Sequence, residues 1–260
     1  LKEKKLLIGK SLYPEILFHF CDKDALFNIL NSTFKISYAR EKIIGEKNIR
    51  EIGVPMVSFC DLRLSEVSSH MCKYGNYGIG LTKEWANRKG LNPVLYISKY
   101  SPLTDGLISG LNGVHAHIRR FKNTDSLVND FSNIHNVYRY IKNYEAPLNK
   151  KGYEKIDKYR FADEREWRYV PSLEDKRVLP FVSQNQIKTA QQKKDLNREV
   201  ENVRLHFQPE DIRYLIVNSD NEISELIERL VKVKQINFTT EALNRLKSRI
   251  LTFEQIQTDI

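Results

Sequence analysis

The chain is poor in cysteine: it has three, Cys21, Cys60 and Cys72, and no CxxC pair. An odd, scattered set excludes a disulfide framework and fits a reducing cytoplasm. Long apolar runs are missing too. None approaches the ~20 residues a membrane helix needs, so no membrane association is expected. The basic start, LKEKKLLIGKSLYPEI, has too short an apolar patch for a signal peptide. Leu1 in place of Met points to a start inside a longer product. Repeats, low-complexity tracts and Pro/Gly/Ser linkers are absent. So are zinc-module spacings: Cys60, His70, Cys72 and His115-Ala116-His117 match none, and no metal is expected. The glycines of KYGNYGIG run GxxGxG, which excludes a Rossmann fingerprint.

What is present fits a soluble globular protein, with 41% hydrophobic and 29% charged residues. Thirteen tyrosines and twelve phenylalanines supply a core. A net charge of +9 and a pI near 9.3 favour an anionic partner: nucleic acid, a nucleotide or an acidic protein surface. Basic side chains cluster at Arg119-Arg120 with Lys122, at Lys150-Lys151, and at Lys188, Lys193 and Lys194. Tyr138, Tyr140 and Tyr144 interleave with Arg139 and Lys142, a pattern that can grip RNA or DNA by stacking and phosphate pairing.

Periodicity and punctuation predict strands at 17–20, 34–38, 57–59, 79–81, 93–97, 166–170 and 212–217, with short extended pieces at 178–182 and 205–207. They predict helices over 23–31 behind an Asp22 cap, 66–73, 83–88 ended by Gly90, 126–144, 222–233 behind an Asn221 cap, and from 240 through Ile250. Thr252 and Gln255 make a capping box. Residues 41–53 and 144–158 read as loops, 101–113 as turn-rich, and 187–203 as a charged insert that is solvated if helical. One α+β domain with a helical C-terminal end follows.

Three segments carry the candidate chemistry. Glu164 and Glu166 are one residue apart; if a turn precedes the strand, both aim at one pocket, where two carboxylates can divide labour. The competing reading is a surface pair neutralised by Arg160, Arg165 and Arg168. His19, between Phe18 and Phe20, points opposite to its aromatic neighbours, either as a ligand-binding imidazole or as a satisfied semi-buried histidine. Tyr74 and Tyr77 flank a glycine turn, where either can stack a flat ring or fill core. Cys60 beside Asp61 is read as a buried thiol rather than a nucleophile.

LFHFCDKDALFNILNSTFKISYAREK, the central VPMVSFCDLRLSEVSSHMCKYGNYGIGLTKEWANRKGLNPVLYI, FADEREWRYVP and LHFQPEDIRYLIVNSDNEISELIERL together resemble the AbiGi family of abortive-infection, antiphage proteins, which carry an antitoxin label. The resemblance implies one AbiGi-like domain over 1–260, with a basic insert at about 187–203. The first segment is also similar to the opening of ADP-ribosyltransferase folds, including DarT-like enzymes that modify DNA. That likeness implies an α+β, ADP-ribosyltransferase-like split of short strands and NAD as substrate. It implies the order His19, then Ser58 or Tyr77, then Glu166, with Glu164 as partner carboxylate. His19 would hold the nicotinamide ribose and Tyr77 or Tyr74 would stack nicotinamide. Glu166 would stabilise the cation formed as nicotinamide leaves, and Glu164 would orient or deprotonate the acceptor. Arg119, Arg120 and Lys122 would contact a nucleic-acid target. Two alternatives remain: a non-enzymatic antitoxin that silences a partner toxin, and a plain nucleic-acid-binding domain.

Overall fold

A computed structural model describes residues 14–120, 125–148, 154–233 and 239–260. Among them nine strands join in one mixed sheet. They are β1 (Ile16–Cys21), β2 (Ser37–Ile44), β3 (Ile49–Cys60), β4 (Tyr77–Thr82), β5 (Asn92–Pro93), β6 (Glu166–Tyr169), β7 (Val182–Ser183), β8 (Ile212–Val217) and β9 (Ile250–Thr252). The order is β9-β8-β4-β1-β3-β6-β5, with β2 and β7 also paired to β3. β8 and β9 pair in parallel, and the other pairs are antiparallel.

β3 organises the site. Its first part pairs with β2, from Ile44↔Ile49 to Ser37↔Met56. Its last part pairs with β6, from Tyr169↔Val57 to Glu166↔Cys60. Two strands cannot occupy one edge at Met56 and Val57, so β2 and β6 lie on opposite edges. β1 touches β3 only at Phe18↔Cys60. The sheet therefore splits between β1 and β2, and the split exposes Ser58.

Alternation along β1 sends Phe18 and Phe20 into one cluster with Met71 and Phe253, and Leu17 and Cys21 into the main core. His19 shares the Leu17 side, where its ring meets Phe34 edge-on at 5.3 Å and Phe59 at 5.6 Å. Asp22 caps the helix Lys23–Ser32 by accepting from the Ala25 N–H at 2.8 Å. Leu26, Phe27, Ile29 and Leu30 bury its inner face.

Several expectations are corrected. Residues 41–53 form a hairpin, not a loop, because Asp105 accepts from the N–H groups of Glu46, Lys47 and Asn48 at its turn. Gly53 is needed there: a Cβ would lie 2.3 Å from Val182 Cγ2. The turn-rich stretch is the helix Pro102–Arg120, whose three glycines are outweighed by burial of Thr104, Ile108 and Leu111. The expected 126–144 helix ends at His135, and Ile141–Asn143 pairs instead with Leu95–Ile97. The 144–158 loop contains Glu145–Leu148, paired with Ile156–Arg160. Asn221 does not cap Ile223–Lys232; a 3-10 turn, Asp220–Glu222, precedes that helix. The helix Thr240–Lys247 stops short of Ile250, which opens β9. Within the charged insert, Ala190–Glu199 is helical and buries only Leu196. No helix among the described residues is long and apolar enough to cross a membrane.

Candidate active site

The split in the sheet opens into adjoining cavities. One, of about 250 Å³, is lined among others by His19, Ser58, Tyr74, Lys142, Glu164 and Glu166. A larger one, of about 570 Å³, runs over the helix Lys23–Ser32 past Ile29, Phe34 and Ser37, with Lys35 and Arg204 in its wall. The two share His19, Ala39, Met56 and Ser58. A third, of about 310 Å³, shares His70 and Glu164 with the first and adds Lys73, Tyr159 and Arg165.

His19 Nδ1 lies 2.8 Å from the Ser58 carbonyl oxygen. A carbonyl only accepts, so Nδ1 carries the proton. Burial lowers the ring's pKa against the opposing pull of that bond, and the ring is neutral. Nε2 is then an acceptor, suited to a ligand hydroxyl or N–H.

Ser58 Oγ donates to Glu166 Oε1 at 2.7 Å. Arg168, two residues along β6 and therefore on the same face, donates through Nε to Oε1 at 2.7 Å and through Nη2 to Oε2 at 3.1 Å. Lys142 Nζ is 3.6 Å from both Glu166 and Glu41, and Arg168 also reaches Glu41 at 3.2 Å. Burial alone would push the Glu166 carboxyl up. The charges of Arg168 and Lys142 and the bonds from Arg168 and Ser58 outweigh it and hold the group well below the usual carboxylate range. Burial likewise opposes the charge of Lys142, but Glu41 and Glu166 prevail and raise it. The Glu166 N–H donates to the Tyr96 hydroxyl at 2.8 Å, which pins the start of β6.

Glu164 ends the 3-10 turn Phe161–Glu164. Arg165 follows in the left-handed region, φ 45°, and turns the chain so that both glutamates line one cavity. Tyr74 donates to Glu164 Oε1 at 2.7 Å and Tyr159 to the same oxygen at 2.8 Å. Burial, then the Glu164 charge, raises both phenols far above their ordinary value, so they stay protonated donors. Tyr74 ends the helix Ser68–Tyr74, and Gly75 closes it at φ 131°. A Cβ at Gly75 would sit 2.0 Å from the Cys21 carbonyl oxygen, so only glycine fits the turn that delivers Tyr74.

The fold thus brings His19, Ser58, Tyr74, Glu164 and Glu166 to one cavity. Tyr77 lies outside it: its hydroxyl donates to Glu222 at 2.8 Å, beside Lys23. The ring packs against the main core. The reading of the glutamates as a surface pair is corrected. Both are buried, and Arg168 alone of the three named arginines meets Glu166. Arg160 and Arg165 reach Asp163 and Glu66. Burial, then the charge of Glu164, pushes the Cys60 thiol up, which suits a buried thiol and not a nucleophile. Among the described residues no group of three or more His, Cys, Asp or Glu side chains could hold a metal.

Arg119 and Arg120 are exposed at the end of the helix Pro102–Arg120, away from the lining of these cavities, while Lys122 lies outside the described residues. The Tyr/Arg interleave does not form a stacking platform, because Tyr138 and Arg139 are buried and Lys142 enters the cleft. Glu41, Lys142, Arg168, Tyr96 and Tyr159 were missed as site residues. Strand alternation from Glu166 signals Arg168, but nothing local signals the others.

With this geometry in place, comparison with known proteins defines the class. Residues 30–218 match the family described as "Putative abortive phage resistance protein AbiGi, antitoxin", and the chain belongs to that family. The match includes Ser58, Tyr74, Glu164 and Glu166 and begins after His19. The chain is 28% identical over 229 residues to the abortive phage resistance protein AbiGi of Lactococcus lactis subsp. cremoris, covering 81% of this chain and 90% of that protein. No solved structure matches. Family membership makes this a protein of abortive-infection, antiphage defence.

Proposed function

We propose that the chain is an antiphage ADP-ribosyltransferase that moves ADP-ribose from NAD to a nucleic-acid or protein target. One observation carries the reading. His19, Ser58 and Glu166 lie on three neighbouring strands and are linked by contacts of 2.8 and 2.7 Å at the junction of two cavities. The split between β1 and β2 is what an ADP-ribosyltransferase-like fold needs to admit a dinucleotide. The smaller cavity suits the nicotinamide ribose. The larger suits the rest of the molecule, with Lys35 and Arg204 available to its phosphates.

In this reading His19 Nε2 accepts from a ribose hydroxyl, and the Tyr74 ring replaces Tyr77 against nicotinamide. The C–N glycosidic bond breaks and its electron pair leaves with nicotinamide. Glu166, held ionised by Arg168, stabilises the positive charge growing at C1′. The acceptor atom bonds to C1′ as its proton passes to Glu164. Both tyrosines bond to Oε1 of that residue, which leaves Oε2 for the acceptor.

A second reading rests on an equally specific feature. Every oxygen of Glu166 already receives Arg168, and the matching family is described as an antitoxin. A non-enzymatic antitoxin could keep such a cleft as structure and act by binding a toxin.

Nicotinamide release from NAD, with and without RNA, DNA and phage lysate, separates the two. Release by the native chain that disappears in Glu166→Gln is expected. No release under any condition, and no heat of NAD binding, would overturn the transferase. Rescue of growth from a co-expressed toxin would then support the antitoxin.

A further inference from the structure

Away from the cleft, on the far side of β4 and β1, another cavity carries unbalanced charge. It has a volume of about 420 Å³, and three of its lining residues are Arg213, Arg245 and Arg249. Arg213 is the second residue of β8, Arg245 lies in the helix Thr240–Lys247, and Arg249 immediately precedes β9. Parallel pairing of β8 with β9 brings them together: the Leu215 N–H donates to the Arg249 carbonyl at 3.2 Å.

Guanidiniums gathered in a fold are normally met by carboxylates, as Arg168 is. Here they are not. Glu210 and Glu241 line the same cavity, yet no carboxylate among the described residues lies within 4.0 Å of any of the three arginines. Arg245 is committed to the backbone, donating to the carbonyls of Ile212 and Pro209. Those bonds fix its position without cancelling its charge. Arg249 Nη1 is buried and has no hydrogen-bond partner among the described residues. A buried orphan donor is costly and rare in native folds. Burial, then repulsion from Arg245 and Arg213, depresses the Arg249 pKa, as expected for a cationic cluster lacking its counter-charge.

We propose that the Arg213–Arg245–Arg249 cavity is a phosphate-binding site, separate from the cleft. A phosphate fits because it is anionic and tetrahedral, with several oxygens that can accept from more than one guanidinium at once. Arg213, which is exposed, and Arg249 both line the cavity and supply the donors, and Arg245 acts as the fixed backing charge. The phosphate comes either from a nucleic-acid backbone or from a free phosphate or nucleotide.

The test uses the full chain with two probes: inorganic pyrophosphate by calorimetry, and a fluorescent single-stranded oligonucleotide by anisotropy across a salt series. Arg213→Gln and Arg249→Gln are each expected to weaken the bound probe about ten-fold or more, as loss of one charge-assisted fork requires. For the oligonucleotide, the salt slope should also fall by about 0.7 for each phosphate contact removed. Binding of pyrophosphate alone would identify a free-phosphate site, and binding of the oligonucleotide with a salt slope would identify a nucleic-acid backbone. Unfolding temperature supplies a second readout. Pyrophosphate or oligonucleotide, whichever binds, should raise it for the native chain and not for Arg213→Gln, whose exposed position leaves folding intact even if Arg249→Gln misfolds. Failure of both probes to bind, or equal binding by native chain and Arg213→Gln, would overturn the proposal. Neither readout depends on NAD chemistry, so this proposal and the transferase fail separately.

Discussion

Glu166 and Glu164 line the same cavity one residue apart, and their surroundings are opposite in kind. Glu166 meets cations: Arg168 grips both of its oxygens, and Lys142 stands behind. Glu164 meets neutral donors: two tyrosine hydroxyls share one of its oxygens. Arg168 is fully buried, so the first region is a closed ionic cluster in which Glu41 balances the second cation. The second is a hydrogen-bonded pocket rim that opens on the neighbouring cavity. A group held ionised at neutral pH suits charge stabilisation, and a group with one oxygen left over suits proton transfer. The backbone makes the difference, because the left-handed Arg165 between them lets one glutamate end a turn while the other starts a strand.

The largest effect should come from breaking the ionic side. Arg168→Ala leaves Glu166 and Glu41 buried against a single lysine, and should cost about 3–5 kcal/mol in urea unfolding. Adding Glu166→Gln to that variant, which leaves Glu41 paired with Lys142, should restore much of the loss, since the damage lies in stranded charge rather than lost packing.

The acid limb of stability tests the same contrast. The Glu166 pKa is lower in the folded chain than in the unfolded one. Its contribution is therefore complete above the unfolded carboxyl value, about 4.3, and is lost as pH falls through the folded value. Glu166→Gln should consequently lose less stability than the native chain on descending through that window, read as urea midpoint against pH.

On the phenol side, Tyr74→Phe and Tyr159→Phe should each cost about 1.5–3 kcal/mol, as hydrogen bonds to a charged group do. Because both donate to one oxygen, the double variant should depart from additivity by about 0.5 kcal/mol or more in a double-mutant cycle. The smallest effect belongs to Tyr77→Phe. It removes a bond to Glu222 outside the cleft, should cost about 1 kcal/mol, and should leave any NAD titration unchanged. A change in that titration would put Tyr77 back in the site.

Much of the site could be read along the chain. His19 between two phenylalanines, the Asp22 cap behind it, the paired glutamates and the glycine after Tyr74 all lie in short segments whose residues act on each other. Arg168 was visible as a neutraliser, but its burial was not. Glu41 and Lys142 were hidden because each sits in a segment read as something else, a loop in one case and a helix in the other. The choice between Tyr74 and Tyr77 was open for the same kind of reason: which of the two reaches the cleft depends on Glu222, far downstream, holding Tyr77 away from it.

The sequence by itself determined the features that close within a few residues. Asp22 caps Ala25, Thr82 caps Trp85 at the start of Lys83–Arg88, Thr252 and Gln255 cap each other, and β8 follows its apolar run. Tertiary structure decided the rest. The hairpin of β2 and β3 depends on Asp105 reaching its turn, the ionic cluster on Glu41 and Lys142 meeting Arg168, and the arginine cavity on β9 docking beside β8. Caps and periodicity are satisfied by neighbours in the chain, whereas a buried charge or turn amide takes whichever partner the packed fold delivers.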